Sequence, residues 1–202
     1  MKKIIYLALI LAIAAIAYST MSGSDDPAYI QQIADERAER VRYLKTSESS
    51  PFQQYDLDFY PLEFFQIDPA YRVRANLERI QSPSRISIPS SDGSSAPYSK
   101  FAYAHFTLDG QKLKLLILKP AGFGAVPNTY FTAFADATSG ETTYGGGRYL
   151  DLDIGKSDNI IIDFNNAYNP YCAYTSEYAC PLPPPENLLP VAVAAGEKDY
   201  NH

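Results

Sequence analysis

Between Tyr98 and Lys119 the chain carries its strongest local instruction, a long β-hairpin folded about Asp109-Gly110. Asp-Gly supplies the positive φ values that a two-residue turn requires. On the return strand Leu113, Leu115 and Ile117 alternate with Lys112, Lys114 and Leu116, the period of two expected of a sheet. An antiparallel sheet is therefore the frame into which the rest of the chain must fit. Tyr71, Val73, Ala75 and Leu77 alternate with Arg72, Arg74, Asn76 and Glu78 and predict a half-buried strand before the hairpin. Arg85 to Pro89 is expected to pair with that strand across Gln81-Ser82-Pro83, with a polar loop from Ser90 to Pro97. After a loop at Pro120–Pro127, strands are expected at Thr129–Ala135, Arg148–Ile154, Asn159–Phe164 and Leu188–Ala194. The spacing of short strands and turn signals predicts a mainly β fold, an antiparallel β-sandwich or a partly closed β-barrel. No internal repeat is present.

Ahead of the sheet lies one helical pattern. Asp25 or Asp26 followed by Pro27 reads as an N-cap with proline in the first turn. Ile30, Ile33, Ala34, Val41 and Leu44 then share a face, so residues 27–48 form an amphipathic helix that braces the sheet. Glu36 and Arg40 stand at the spacing of an i,i+4 ion pair. Residues 52–70, rich in aromatics and broken by Pro61 and Pro69, are expected to plug one end or face of the core.

The N-terminus reads as an export signal. Met1-Lys2-Lys3 precedes an uncharged apolar run from Ile4 to Tyr18, and Ala15-Ile16-Ala17 offers a small-residue cleavage site. Residues 1–21 are thus a signal peptide or an uncleaved N-terminal membrane anchor, 22–26 a linker, and 27–202 a single domain in the periplasm or cell envelope. Contact with a membrane is expected only through the N-terminal segment. With a formal net charge of −6 the chain has no basic surplus to neutralise phosphates, which argues against a nucleic-acid partner.

Candidate functional residues concentrate between Thr142 and Glu197. Gly145-Gly146-Gly147 is no phosphate loop, because no Lys-Ser/Thr and no helix follow it. It is either a glycine turn whose amides accept an anion beside the fork of Arg148, or a tight bend at the start of a strand. Asp163, Asn165, Tyr168 and Tyr174, with Tyr144 and Gly146, complete a set able to stack on and hydrogen-bond a small ligand. Asp163 and the asparagines can equally cap turns, and Asp163 can pair with Arg148. Cys172 and Cys180 are the only cysteines, and in an exported chain a disulfide is the favoured reading. Reduced structural thiols, or a Cys172 nucleophile with His105 as base, stand as alternatives. No metal site and no cofactor is expected, since only His105 and His202 could join the cysteines as ligands.

Several segments together resemble one family: Asp68-Pro-Ala-Tyr-Arg-Val, Phe106-Thr-Leu-Asp-Gly, Asp136-Ala-Thr-Ser-Gly, Thr143-Tyr-Gly-Gly-Gly-Arg-Tyr, Asp163-Phe-Asn-Asn-Ala-Tyr-Asn-Pro-Tyr-Cys and Cys180-Pro-Leu-Pro-Pro-Pro-Glu-Asn. Over residues 30 to 197 the chain is similar to the bacterial and archaeal family called domain of unknown function 1684. The resemblance implies no reaction, substrate or catalytic residue. Three functions follow from the residues themselves. The first is a non-enzymatic binding module for a small anionic or sugar-like ligand. The second is a cofactor-free hydrolase using Asp163, Asp136 or His105, and the third an envelope domain without a ligand.

Overall fold

The computed structural model describes residues 26–82, 84–121 and 129–200. The expected signal or anchor segment lies outside these residues, as does most of the loop at 120–127. Among the described residues no helix is long and apolar enough to cross a membrane.

Helix α1 spans Pro27–Thr46, and the side chain of Asp26 caps it by accepting the Ala28 amide hydrogen at 3.1 Å. A single turn, α2, follows at Pro51–Gln54. The strands are β1 (Arg72–Arg79), β2 (Arg85–Pro89), β3 (Ser95–Leu108), β4 (Gln111–Pro120), β5 (Phe131–Phe134), β6 (Arg148–Asp151) and β7 (Asn159–Asp163). They form one seven-stranded antiparallel sheet in the order β6-β5-β4-β3-β1-β7, with β2 added on β3, curled into a half-barrel. The partly closed form is therefore the one adopted. Beyond β7 the chain crosses to the opposite edge, where Tyr168 and Tyr149 exchange backbone hydrogen bonds of 2.8 and 3.0 Å.

The Asp109-Gly110 turn forms as expected, with φ of 49° and 72°, joining Leu108 to Gln111. Strand β2 differs from expectation, since it pairs with β3 rather than β1. The reason is length. Strand β3 has 14 residues, β1 pairs with Ala102–His105, and the first half of β3 is left to take β2 through Ser95–Ser99.

The core fills the inner face, with Ala75, Ala104, Phe106, Ile117, Ile162 and Phe164 all buried. Leu115 to Leu118 are buried on both faces of β4, because Ile88 of β2 and the Pro185–Asn187 turn cover the outer one. Asn187 sits in the gap between β4 and β5. Its side chain accepts from the Leu116 amide at 2.6 Å and donates to the Leu116 and Ala133 carbonyls at 3.0 and 2.8 Å. Phe52, Leu57, Phe59 and Leu62 pack with Leu44, Tyr174 and Tyr200 as a separate cluster at the end of α1, so the first half of the 52–70 segment covers that end, while Phe64 and Phe65 run beside Glu197 and Gly196.

The expected strand Leu188–Ala194 does not form. Leu189, Val191, Val193 and Ala195 alternate inward, yet the backbone meets the end of β5 only through Ala135, which bridges Leu188, and Ala137, whose amide donates to the Val191 carbonyl at 3.0 Å. From Val193 onward a side-chain pair replaces the missing ladder. Arg148, fully buried, donates to Asp136 at 2.9 Å and to the carbonyls of Val193, Ala195 and Glu197. Asp136 in turn accepts the Val193 amide at 3.1 Å and the Thr138 amide and hydroxyl at 2.9 and 2.7 Å. One guanidinium thus serves carbonyls that a neighbouring strand would otherwise satisfy.

Removing Arg148 strands a buried carboxylate and three carbonyls. Arg148→Leu is expected to cost about 3–5 kcal/mol, the range for breaking a buried ion pair. Arg148→Lys keeps the charge but loses the fork, and is also expected to destabilise. Urea denaturation followed by circular dichroism measures both; a loss under 1 kcal/mol in Arg148→Leu contradicts the role given to the pair.

Candidate functional site

A cleft of about 810 Å³ opens between α1 on one side and β6 with the 165–181 segment on the other. Helix α1 is held there by side chains on its inward stripe. At its start the Tyr29 hydroxyl donates to Asp163 at 2.8 Å. One turn past Ile33, Arg37 donates to the carbonyls of Phe65 at 2.8 Å and Asn165 at 2.9 Å. Arg40, one turn further, forms an ion pair with Glu197 and reaches the Asn169 carbonyl at 3.0 Å. The expected Glu36–Arg40 pair is absent: Glu36 accepts from Gln32 at 2.8 Å and from Asn166 at 2.6 Å instead. Arg40 faces inward, where Glu197 offers a desolvated partner that a surface glutamate does not match.

The Glu197 carboxylate forms the cleft floor. Besides Arg40 it receives the Asn169 amide at 2.8 Å and the Tyr174 hydroxyl at 3.0 Å, while its backbone carbonyl is taken by Arg148. Burial disfavours the charge on Arg40, but the attraction of Glu197 outweighs it and the guanidinium is held above its ordinary pKa. Arg40 also lies over the Tyr168 ring, 4.4 Å from its centroid, and keeps 23 % of its side chain accessible.

Tyrosines dominate the walls. Tyr43, Tyr149, Tyr168, Tyr171 and Tyr178 all line the cleft. The Tyr168 hydroxyl donates to Asp151 at 3.1 Å, Tyr149 to the Pro181 carbonyl at 2.6 Å, and Tyr171 to the Tyr43 hydroxyl at 3.2 Å. Loss of hydration raises the Tyr149 and Tyr168 pKa values above the ordinary phenol range, so both stay protonated donors. The Asp151 carboxylate remains open to water, but crowding by the cleft walls strips part of its hydration shell and raises its pKa. The wall residues carry four carboxylates (Glu36, Glu39, Asp151, Glu197) against two guanidiniums (Arg37, Arg40).

Of the residues singled out by sequence, Asn165 and Tyr168 line this cleft, and Tyr174 stands behind its floor on Glu197. Arg148 does not present a fork to a ligand, because its charge is spent on Asp136 beneath the cleft. Asp163 caps Asn165 at 3.0 Å and pairs with Arg72 at 3.7 Å, not with Arg148. The glycine run is a bend at the start of β6: Gly147 has φ +84°, and a Cβ there would lie 2.6 Å from the Phe134 carbonyl. Gly146 lies under the Tyr144 ring, whose hydroxyl donates to the Cys172 carbonyl at 3.3 Å. Asp136 is buried, and His105 sits on the outer face of the sheet, 2.8 Å from Glu78, so the acid–base candidates do not converge. Among the described residues no cluster of three metal-ligating side chains occurs.

Cys172 and Cys180 stand at disulfide-bonding distance, with Cα atoms 6.1 Å apart. The ring they close carries Tyr178 and directly follows Tyr171. It is docked on the turn after β2, where the Ser91 amide donates to the Cys180 carbonyl at 2.9 Å. Sequence reasoning missed Arg37, Arg40, Tyr43, Asp151 and Glu197. The available signal was the pair of arginines set one turn apart among the inward residues of α1.

The family described as "Protein of unknown function (DUF1684)" matches residues 39–198, and the chain belongs to it. Among solved structures it is similar to an uncharacterized protein of Haloarcula marismortui determined by NMR in solution. That protein is 35 % identical, with a TM-score of 0.66, over 88 % of this chain and 98 % of that one. No curated protein matches.

The disulfide tethers one wall of the cleft. The double variant Cys172→Ser/Cys180→Ser is expected to lose about 2.5 kcal/mol, the loop-closure value for a ring of this size. Equilibrium unfolding with and without reductant checks this; equal stability of oxidised and reduced protein contradicts it.

Proposed function

We propose that this member of the DUF1684 family is a non-enzymatic binding module that takes a neutral, sugar-like ligand in the cleft between α1 and β6. The observation that carries the reading is the tyrosine wall, with the Asp151 carboxylate set among its rings. A sugar ring offers an apolar CH face and a girdle of hydroxyls, each both donor and acceptor. Aromatic faces match the first. The Asp151 carboxylate and the phenol oxygens match the second.

An anionic ligand fits less well. The walls carry more carboxylates than guanidiniums, and both arginines are already engaged with protein acceptors. Hydrolysis by Asp163, Asp136 or His105 is disfavoured by their separate structural engagements. The basic, then apolar start of the sequence supports placing the module outside the cytoplasm, where glycans are common ligands.

Isothermal titration with neutral oligosaccharides of differing linkage, set against dicarboxylates and sugar phosphates, tests the reading. Saturable binding of a neutral saccharide is expected, weakened up to about tenfold by Tyr171→Ala or Tyr178→Ala. Binding that needs an ionised Asp151 acceptor declines as the pH falls through its raised pKa, above the range of an ordinary aspartate. Asp151→Asn is expected to flatten that step. Binding of acidic compounds alone contradicts the proposal.

A further inference from the structure

A second concavity, about 630 Å³, lies on the outer face of the sheet, away from the cleft. Its polar lining comes from two rows of outward side chains. Asn159 stands opposite Asn76, Asn76 opposite His105, and His105 opposite Lys114. Beside that row lie Arg74, Thr107 and Lys112, with Thr107 opposite Lys112. The alternation that buries Val73, Ala75 and Leu77 turns these side chains outward.

The charge here runs against that of the chain as a whole. The protein has a formal net charge of −6, yet no carboxylate lines this concavity. Most other well-placed cations are engaged: Arg40 with Glu197, Arg72 with Asp163, Arg79 with Asp158, Lys100 with Glu186 and Arg148 with Asp136. Arg74 and Lys112 make no ion pair among the described residues, and Lys114 lies 4.9 Å over the Tyr103 ring. Glu78, at the margin, is occupied by His105. Unpaired like charges on neighbouring strands repel one another, so this arrangement lowers stability unless something neutralises it. The neighbouring amides of Asn76 and Asn159 and the Thr107 hydroxyl add neutral donors.

We propose that the outer-face concavity formed by Arg74, Asn76, Thr107, Lys112, Lys114 and Asn159 binds a small, free, multivalent phosphate or polyphosphate oxyanion. Arg74 supplies the two-pronged contact, the lysines supply point charges, and the amides and hydroxyl complete the shell. The site is independent of the cleft, so either can fail without the other.

The test is a titration of the protein with pyrophosphate, followed by two-dimensional ¹H–¹⁵N NMR, in parallel with inorganic phosphate and with vesicles of anionic phospholipid. Saturable shifts are expected at amides 74–76, 105–107 and 112–114, with pyrophosphate tighter than phosphate and both weakened by added salt. The charge reversal Arg74→Glu/Lys112→Glu, both at exposed positions, is expected to weaken binding at least tenfold. Arg42→Glu, at an exposed position on helix α1 that does not line the concavity, is expected to leave it unchanged. Shifts that do not saturate or that scatter over all surface cations overturn the proposal. Equal binding by the charge-reversed protein, or binding to vesicles but not to pyrophosphate, overturns it as well.

Discussion

The buried pair of Arg148 and Asp136 decides how the last quarter of the chain is held. Two turns, Asp136–Gly140 and Tyr144–Gly147, place the two residues side by side where β5 and β6 meet, with Phe134 opposite Arg148 in the ladder. From there a guanidinium and a carboxylate gather the backbone of residues 193–197 onto the inner face of the half-barrel. A buried ion pair is seldom stabilising in itself compared with apolar packing. Its value here lies in specifying one path for a segment that carries proline at 190 and whose backbone meets the end of β5 only at Ala135 and Ala137.

Glu197 links that core device to the cleft. Its carbonyl belongs to Arg148 and its carboxylate to Arg40, so the floor of the cleft and the position of α1 derive from the same buried charge network. The wall facing the helix is fixed differently, by the backbone exchange of Tyr149 with Tyr168 and by the tethered 172–180 ring. Charge partners are thus largely satisfied inside the cleft, leaving ring faces, phenol hydroxyls and Asp151 as its available chemistry. On the outer face the opposite holds, since Arg74 and Lys112 make no ion pair among the described residues and no tyrosine lines the concavity. The different ligand classes proposed for the two concavities rest on that contrast.

Local signals made the hairpin, the α1 cap and the β1 alternation legible from sequence, because each is decided within a few residues. The misreadings share a cause. Residues 188–194 have the alternation of a strand, and inward burial does follow it, but alternation does not disclose that the backbone partner is an arginine side chain. Arg148 beside glycines has the same local sequence whether its anion is a ligand or an aspartate twelve positions away. Arg40 has a glutamate at i−4 and looks satisfied on its own helix, although its partner lies 157 residues further on. Long-range charge pairing, invisible to periodicity, is what concealed the cleft.

The central claim is that residues 189–197 are as firmly part of the fold as a strand, because side chains replace a ladder. Native-state hydrogen exchange measures this directly at the Val193 amide, which bonds to Asp136, and at the Leu189 amide, which bonds to the Ala135 carbonyl. Both are expected to exchange only through global opening, with the same free energy as the central amides of β4. Rapid exchange at Val193 while β4 stays protected would contradict the account.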